Sequence, residues 1–358
     1  MSMFNHGKIK TILSKEMGLA VQSFETERLQ GDASNRTYYR IRFRENGHPG
    51  SLILMQLAEP EAFKKSEEKV TRSAIPVREL PYVNILNHLA RWGVSVPKLY
   101  FYDRAAGWLF LEDLGDLTVE TEVKGKKRSV IQRYYEQAID ELVKIQRQGI
   151  RSRNKTCVAF GRAFDVPLLM WEFDHFLEYG IPYCAGRALA SQDRRKISTE
   201  FLKIATELAD LPRTFTHRDY HSRNLMIHRT RIWILDFQDA LMGPHVYDLA
   251  SLLRDSYTIL DESLADELIT YYRDCMKGPK SLRQSPAAFR RLFDLMSVQR
   301  NLKAAGRFVY IHQVKHNPRF LPYISQTLGY VKRNLEKYPE LSHLRQWLEP
   351  YMEEVNAR

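Results

Sequence analysis

The chain has 358 residues, 44% of them hydrophobic and 27% charged, which excludes a disordered or fibrous chain and suffices to bury a full core without disulfide staples. Its formal net charge of +11 suits anionic partners, but the basic runs KGKKR (Lys124–Arg128) and RRK (Arg194–Lys196) are dispersed and carry no interleaved aromatics, so they read as solvated loops and helix faces rather than a nucleic-acid surface. Cys157, Cys184 and Cys275 are an odd set with no close pair, which excludes a disulfide framework, and the absence of a signal-peptide core or a run of ~18–20 apolar residues points to a cytoplasmic protein without a membrane partner.

Residues 37–44, TYYRIRFR, and 51–57, SLILMQL, read as strands joined by the turn residues ENGHPG, hence a hairpin. Helical patterns follow over 61–72 and 77–92, with Pro81 near the start of the second, where a missing N–H matters least. VPKLYFYD and GWLFLEDL then read as two further strands around a short turn. After Leu114-Gly115 the period changes. Residues 130–148, 166–180 and 192–210 place apolar side chains three and four apart, as helices do. Two short strands, LMIH and RIWILDF, interrupt this, and helices resume over 263–276, 286–312 and 321–337. A sheet-rich part followed by a helix-rich part defines an α+β protein. The expected domains are 1–113 and 114–358, meeting near residues 112–115.

The stretch FTHRDYHSRNLMIHRTRIWILDFQDA, Phe215–Ala240, carries the chemistry. Asp219 and Asn224 are five apart, and Asp236 follows the strand pair. A hairpin that leaves and returns draws such residues together around one point, and hard oxygen donors of this kind suit Mg²⁺ beside phosphate oxygens. A further carboxylate there can accept a proton from a hydroxyl nucleophile. The spacing is that of kinases, H-R-D-x-x-x-x-N followed by D-F-G. The first motif is complete in His217-Arg218-Asp219-Tyr220-His221-Ser222-Arg223-Asn224. The second reads Asp236-Phe237-Gln238, with glutamine in place of glycine. His217 and His221 also stand at helical zinc spacing, but no glutamate lies between them and the segment enters a strand, so zinc is the weaker reading.

HRDYHSRNLM and ILDFQDALMGPHVYDLASLLRD together resemble the aminoglycoside phosphotransferase-like kinases, which have a two-lobed protein-kinase-like fold, with a small antiparallel-sheet N-lobe and a mostly helical C-lobe, and phosphorylate small-molecule hydroxyls. Through GDASNRTYYR, LFLEDLGDLT, DFQDALMGP and QRNLKAAGRFVY the chain is most similar to that family's branch of bacterial N-acetylmuramate/N-acetylglucosamine anomeric kinases, over about Gly31 to Tyr330. That branch moves the ATP γ-phosphoryl group onto the sugar's anomeric hydroxyl, and the sugar 1-phosphate feeds cell-wall recycling. The resemblance implies ATP and Mg²⁺, with Asp219 as catalytic base, Asn224 and Asp236 as metal ligands, and Asp248 bracing the catalytic loop. It places Gly31, Ser34, Asn35 and Arg36 on the phosphates, and the main chain of Glu112 and Leu114 at the adenine edge. His221, Arg223, Trp171 and Arg300 are candidates for the acceptor, with Glu172 and Phe173 beside Trp171 and Gln299, Asn301 and Lys303 beside Arg300, since an aromatic stacks on a sugar face and a cation meets a carboxylate; the alternative is that the aromatics are core and that Arg300 braces the catalytic loop. The partners expected are a nucleotide and a small sugar, the state a monomer.

One departure stands out. Kinases place a lysine on the third strand for the α- and β-phosphates, and here Met55 occupies that position, as the resemblance implies for the branch. Either another cation substitutes, such as Arg36, Lys64 or Lys65, or activity is low, and Glu79, the candidate helix glutamate, loses its usual partner. Two rivals remain: a kinase for an aminoglycoside, an amino alcohol or another sugar, and a nucleotide-binding pseudokinase with a basic interaction surface.

Overall fold

The computed structural model describes residues 5–29, 36–57, 79–152, 156–277 and 284–352. The chain opens with α1 (His6–Thr11), whose free N–H of Lys8 is capped by the Asn5 side chain at 2.9 Å, and a π-helical turn, Ile12–Glu16. β1 (Val21–Arg28) follows, a strand the sequence pattern did not reveal because it lies at the sheet edge and is exposed along most of its length. The expected hairpin forms as β2 (Thr37–Glu45) and β3 (His48–Gln56), paired antiparallel from Glu45↔His48 to Thr37↔Gln56. Its strands extend into ENGHPG from both sides and leave a tighter turn. Asn46 and Gly47 both take positive φ, 50° and 83°, the left-handed pair that matches the twist of a two-residue hairpin.

α2 (Pro81–Arg91) starts on its proline, in the first turn, where N–H groups have no partner within the helix. β4 (Leu99–Asp103) and β5 (Trp108–Glu112) complete a five-stranded antiparallel sheet of order β1-β2-β3-β5-β4. Its core packs Ile9, Ile12 and Leu13 against Ile41, Leu52, Leu54, Trp108 and Phe110. The helix expected over 61–72 lies outside the described residues.

The remaining described elements are mostly helical. α3 (Val119–Val123) begins in a reciprocal Thr118/Thr121 capping box. α4 (Arg128–Arg151), α5 (Val166–His175) and α6 (Ser191–Ala209) follow. The pattern over 166–180 is not one α-helix: α5 widens into a π-helical turn, Phe176–Gly180. Four short strands form two ladders, β6 (Arg213–Thr216) with β9 (Leu241–Pro244) and, between them in sequence, β7 (Leu225–His228) with β8 (Arg231–Ile234). Then come α7 (Tyr247–Leu253), α8 (Glu262–Cys275), the 30-residue α9 (Pro286–Lys315), α10 (Ile324–Lys337) and α11 (Ser342–Met352). α9 is buried around most of its circumference from Leu292 to Ile311, so it serves as the central post of this part.

By packing, the chain divides into two units, Met1–Lys65 with Val96–Asp116, and Ser66–Ser95 with Leu117–Arg358. α2 therefore belongs with the helical unit, where Tyr82 lies 4.9 Å, ring to ring, from Phe237. No helix among the described residues is long and apolar enough to cross a membrane.

Candidate active site

The β7–β8 hairpin brings the ends of the chemical stretch together. Its register runs from His228↔Arg231 to Leu225↔Ile234. Arg229 and Thr230 close the tip with positive φ, 49° and 65°. Past the open end, Leu235 N–H donates to Asn224 O at 2.9 Å, so Asn224 and Asp236 flank one point. Asn224 Nδ2 donates to Asp219 O at 2.9 Å, which joins the base candidate to the same cluster and turns the amide's oxygen end away from that bond. Asp236 sits in left-handed conformation, φ 61°, which costs a non-glycine residue energy and persists where the surroundings hold it. Gln238 supplies part of that hold. Its Nε2 donates to Asp236 Oδ1 at 3.0 Å and to Asp239 Oδ2 at 3.2 Å, so the residue that replaces glycine bridges two carboxylates.

Two buried carboxylates fix the loop from behind. Asp248, fully buried at the start of α7, accepts the backbone N–H groups of His217 (2.7 Å) and Arg218 (3.0 Å). Burial pushes its carboxyl up to about 6 despite those bonds and the nearby His217, because removing a carboxylate from water outweighs two donors. Asp255 accepts the N–H of Ser222 at 3.0 Å and also its hydroxyl. His217 completes the frame. Its Nε2 bonds Leu235 O at 2.8 Å and its Nδ1 accepts from Asp219 N–H at 3.2 Å, so Nε2 carries the ring proton. Arg218, at φ 80°, points its guanidinium at the fully buried Glu172, 2.9 Å away, which Gln299 also meets at 2.9 Å.

The Asp219 carboxylate itself stays accessible, with 38% of its side chain exposed, and Lys303 Nζ stands 3.7 Å from its Oδ1. Burial raises the carboxyl's proton affinity, but the cations Lys303 and Arg218 outweigh it and hold Asp219 well below the ordinary carboxylate range. His221 is pushed down to about 3, by burial first and then by Arg300, His217 and Arg223, with Asp219 opposing. It is a neutral ring, edge-on to Tyr257 at 5.1 Å.

The other sequence candidates divide. Arg223 stays beside the loop. It forks onto Glu120 (2.8 and 2.9 Å), bonds the Tyr323 hydroxyl at 2.7 Å and lies over the Tyr257 ring at 3.8 Å. Arg300 lies behind the loop, 5% exposed, bonding Ser251 Oγ. Trp171 stacks on His175 at 5.9 Å. In the sheet unit, Glu112 accepts from Lys98 N–H at 3.2 Å, and Leu114 is 6% exposed. Arg36 immediately precedes β2, while Gly31, Ser34, Asn35, Lys64 and Lys65 lie outside the described residues. Met55 is fully buried between Tyr38 and Leu109 in the sheet. Glu79 accepts from Asn84 Nδ2 at 3.3 Å on the helical unit.

Sequence reasoning missed Asp255, Glu120 and Arg40. Asp255 left a trace, as a carboxylate ending the apolar run DLASLL. Arg40 left another, as a charge in the middle of a strand whose neighbours Tyr39 and Ile41 face cover; it is 5% exposed.

Among the described residues no three His, Cys, Asp or Glu side chains are placed to hold a metal. The donor set at the hairpin's open end is of another kind, one amide oxygen from Asn224 and one carboxylate from Asp236. That pair suits a hard cation which keeps waters and takes further oxygens from a phosphate, and Mg²⁺ has that habit.

The antiparallel sheet, the helical unit and the HRD loop joined through a hairpin to an Asp-Phe pair define a phosphotransferase of protein-kinase-like fold, acting on hydroxyl groups. The model of the phosphotransferase enzyme family matches residues 25–289, and the chain belongs to that family. It is similar to the N-acetylmuramate/N-acetylglucosamine kinase of Neisseria meningitidis serogroup B, 28% identical over 90% of this chain and 89% of that one. It is equally similar, at 28%, to the kinase of the same name from Pseudomonas aeruginosa, over 88% and 86% of the two chains. The crystal structure of a choline/ethanolamine kinase family protein from Mesorhizobium loti shares the fold, with a TM-score of 0.59 over 97% of this chain and 99% of that one at 17% identity.

Proposed function

We propose that this chain transfers the γ-phosphoryl group of ATP to the anomeric hydroxyl of an amino sugar of the N-acetylmuramate/N-acetylglucosamine class. The product is the sugar 1-phosphate, which enters cell-wall sugar recycling. The observation that carries the reading is the span of the likeness to the two kinases of that name, near-complete in both chains.

Asp219 is the base. It takes the hydroxyl proton as the acceptor oxygen bonds to the γ-phosphorus and the bond to ADP breaks. An anomeric hydroxyl is more acidic than an ordinary alcohol, because the ring oxygen withdraws charge, so a carboxylate held below its usual range suffices. His217, Asp248 and Asp255 keep the loop rigid, and positioning of this kind supplies much of the rate in phosphoryl transfer. Asn224 and Asp236 would hold Mg²⁺, which neutralises phosphate charge when bound. Residues 1–113 serve the nucleotide: Gly31, Ser34, Asn35 and Arg36 its phosphates, and the main chain of Glu112 and Leu114 its adenine. Residues 114–358 serve the acceptor, with His221 and Arg223 on the same loop as the base.

An aminoglycoside or amino alcohol is the rival acceptor. The cations that hold down Asp219, Lys303 and Arg218, disfavour a positively charged acceptor. A panel of sugars and amino alcohols with ATP and Mg²⁺, read by ADP release and by ³¹P NMR of the product, decides. N-acetylmuramate or N-acetylglucosamine is expected to turn over fastest, with the phosphate on C1. Brisk turnover of another alcohol with neither sugar used removes the assignment.

A further inference from the structure

We propose that Lys303, on α9, is a catalytic residue whose ammonium group meets the phosphoryl group during its transfer. The proposal rests on Asp219 being the base.

The geometry of Lys303 is that of a charge aimed at something else. Its Nζ lies 3.7 Å from Asp219 Oδ1 and 3.9 Å from Glu172 Oε1, both beyond the range of an N–H···O bond. Among the described residues it makes no hydrogen bond, and its side chain is only 17% exposed. A shielded ammonium with three uncommitted donors is costly to keep unless a ligand takes them. Glu172 does not need it, since Arg218 and Gln299 already occupy both carboxylate oxygens at 2.9 Å.

The helix is built to hold the lysine there. One turn beyond it, Gly306 lies so close to the π-helical turn that a Cβ would come within 2.7 Å of Phe176 Cα and 2.8 Å of His175 O. One turn before it, Gln299 anchors α9 to Glu172 of α5. Both contacts flank Lys303 on neighbouring turns of one helix face.

The reaction places its charge at that spot. A general base must lie about 2.6–3.2 Å from the oxygen it deprotonates, so an ammonium beside the same carboxylate adjoins the attacking oxygen and the phosphorus it reaches. In the step, the acceptor's O–P bond forms and the bond from the γ-phosphorus to the β-phosphate oxygen breaks. The hydroxyl proton passes to Asp219. Lys303 keeps its proton and donates a hydrogen bond to a non-bridging oxygen of the migrating group, where fixed donors stabilise developing charge best.

The test compares Lys303→Met and Lys303→Arg with the unaltered chain. The readouts are kcat and KM for each substrate and calorimetric affinities for ADP and for β,γ-imido-ATP. Lys303→Met is expected to lower kcat about 10²-fold or more, to weaken the imido analogue about tenfold, and to leave ADP affinity within about twofold, since ADP lacks the group that is met. Lys303→Arg should recover part of the rate. Lys303→Gln serves in place of Lys303→Met if that variant melts abnormally. Equal weakening of ADP and analogue, or unchanged kcat, overturns the proposal. So does a change confined to KM for a carboxylate-bearing sugar, which would place Lys303 on the acceptor instead. Asp219→Asn is run alongside: if it stays active, the base assignment fails, whereas the analogue-against-ADP comparison reports on Lys303 alone.

Discussion

Arg40 on β2 grips Asp113, just past the end of β5, through two parallel bonds, Nε to Oδ2 at 2.8 Å and Nη2 to Oδ1 at 3.1 Å. The same guanidinium meets both carboxylate oxygens of Asp116 at 3.0 and 2.7 Å and the carbonyl of Gly115 at 3.1 Å. Gly115 takes φ 82°, a conformation open to glycine at little cost, and its N–H returns to Asp113 Oδ1 at 3.0 Å. One buried cation thus sets the path of the segment proposed to read adenine. Arg40→Met leaves the buried Asp113 carboxylate without its cation, and about 3–5 kcal/mol of stability should go with it. Denaturant unfolding measures that loss, and a raised KM for ATP is expected in variants that still fold. Arg40→Lys should restore little, because an ammonium cannot fork onto two carboxylates. Full activity and an unchanged midpoint in Arg40→Met would refute the role.

Asp219→Asn removes the proposed base and leaves its size and its neighbours. Turnover is expected to fall about 10³-fold or more, while the protein still melts cooperatively within a few degrees of the parent. A variant that keeps most of its rate refutes the assignment. Asn224→Ala should behave differently: the magnesium concentration for half-maximal rate rises about tenfold, because one of two protein oxygens is lost.

Asp248 predicts a pH dependence. Its folded-state pKa of about 6 lies above the ordinary value for an unfolded aspartate, so between about pH 4 and 6 the folded chain holds a proton that the unfolded chain has released. The group's contribution is therefore fully present below pH 4 and is lost as pH rises through 6, by an amount on the order of 3 kcal/mol. Asp248→Asn cannot titrate. The melting-temperature difference, parent minus variant, should shrink as pH rises from 4 to 6. A constant difference would show that the carboxyl titrates alike in both states.

Gly306→Ala tests the close approach of α9 to the π-helical turn. With backbone atoms of His175 and Phe176 inside 3 Å of the added carbon, neither partner can yield by rotating a side chain. A loss of about 1–3 kcal/mol is expected, read by chemical denaturation, together with a fall in kcat as Lys303 shifts. An unchanged midpoint would show that the helix moves freely.

Local chemistry carried far in the sequence. LMIH forms β7 with the expected limits, because four apolar-rich residues beside a tight turn have few alternatives. The hairpin that unites Asn224 and Asp236 could be inferred, since strand pairing dictates where the two ends of a hairpin lie. The hairpin β2–β3 and the helix around Pro81 were legible too, but their limits were not: the helix expected from residue 77 starts at Pro81 and the turn expected over ENGHPG tightens to Asn46-Gly47, because strand pairing and packing, not local composition, set where an element ends. β1 was not, because an exposed edge strand owes its existence to a partner and shows no alternation of its own.

What the sequence determined by itself, then, was the identity and spacing of the polar groups at one hairpin, and with them the family and its chemistry. The tertiary structure alone decided which cation stands beside Asp219 and what holds the loop. Lys303 lies 84 residues beyond Asp219 in the chain, and its placement depends on a glycine that lets one helix settle against another. Glu172 and Asp255 became structural anchors only through burial, which removes water and obliges each carboxylate to find donors wherever the fold provides them. Such pairings arise from packing between distant segments, and no period or spacing along the chain encodes them.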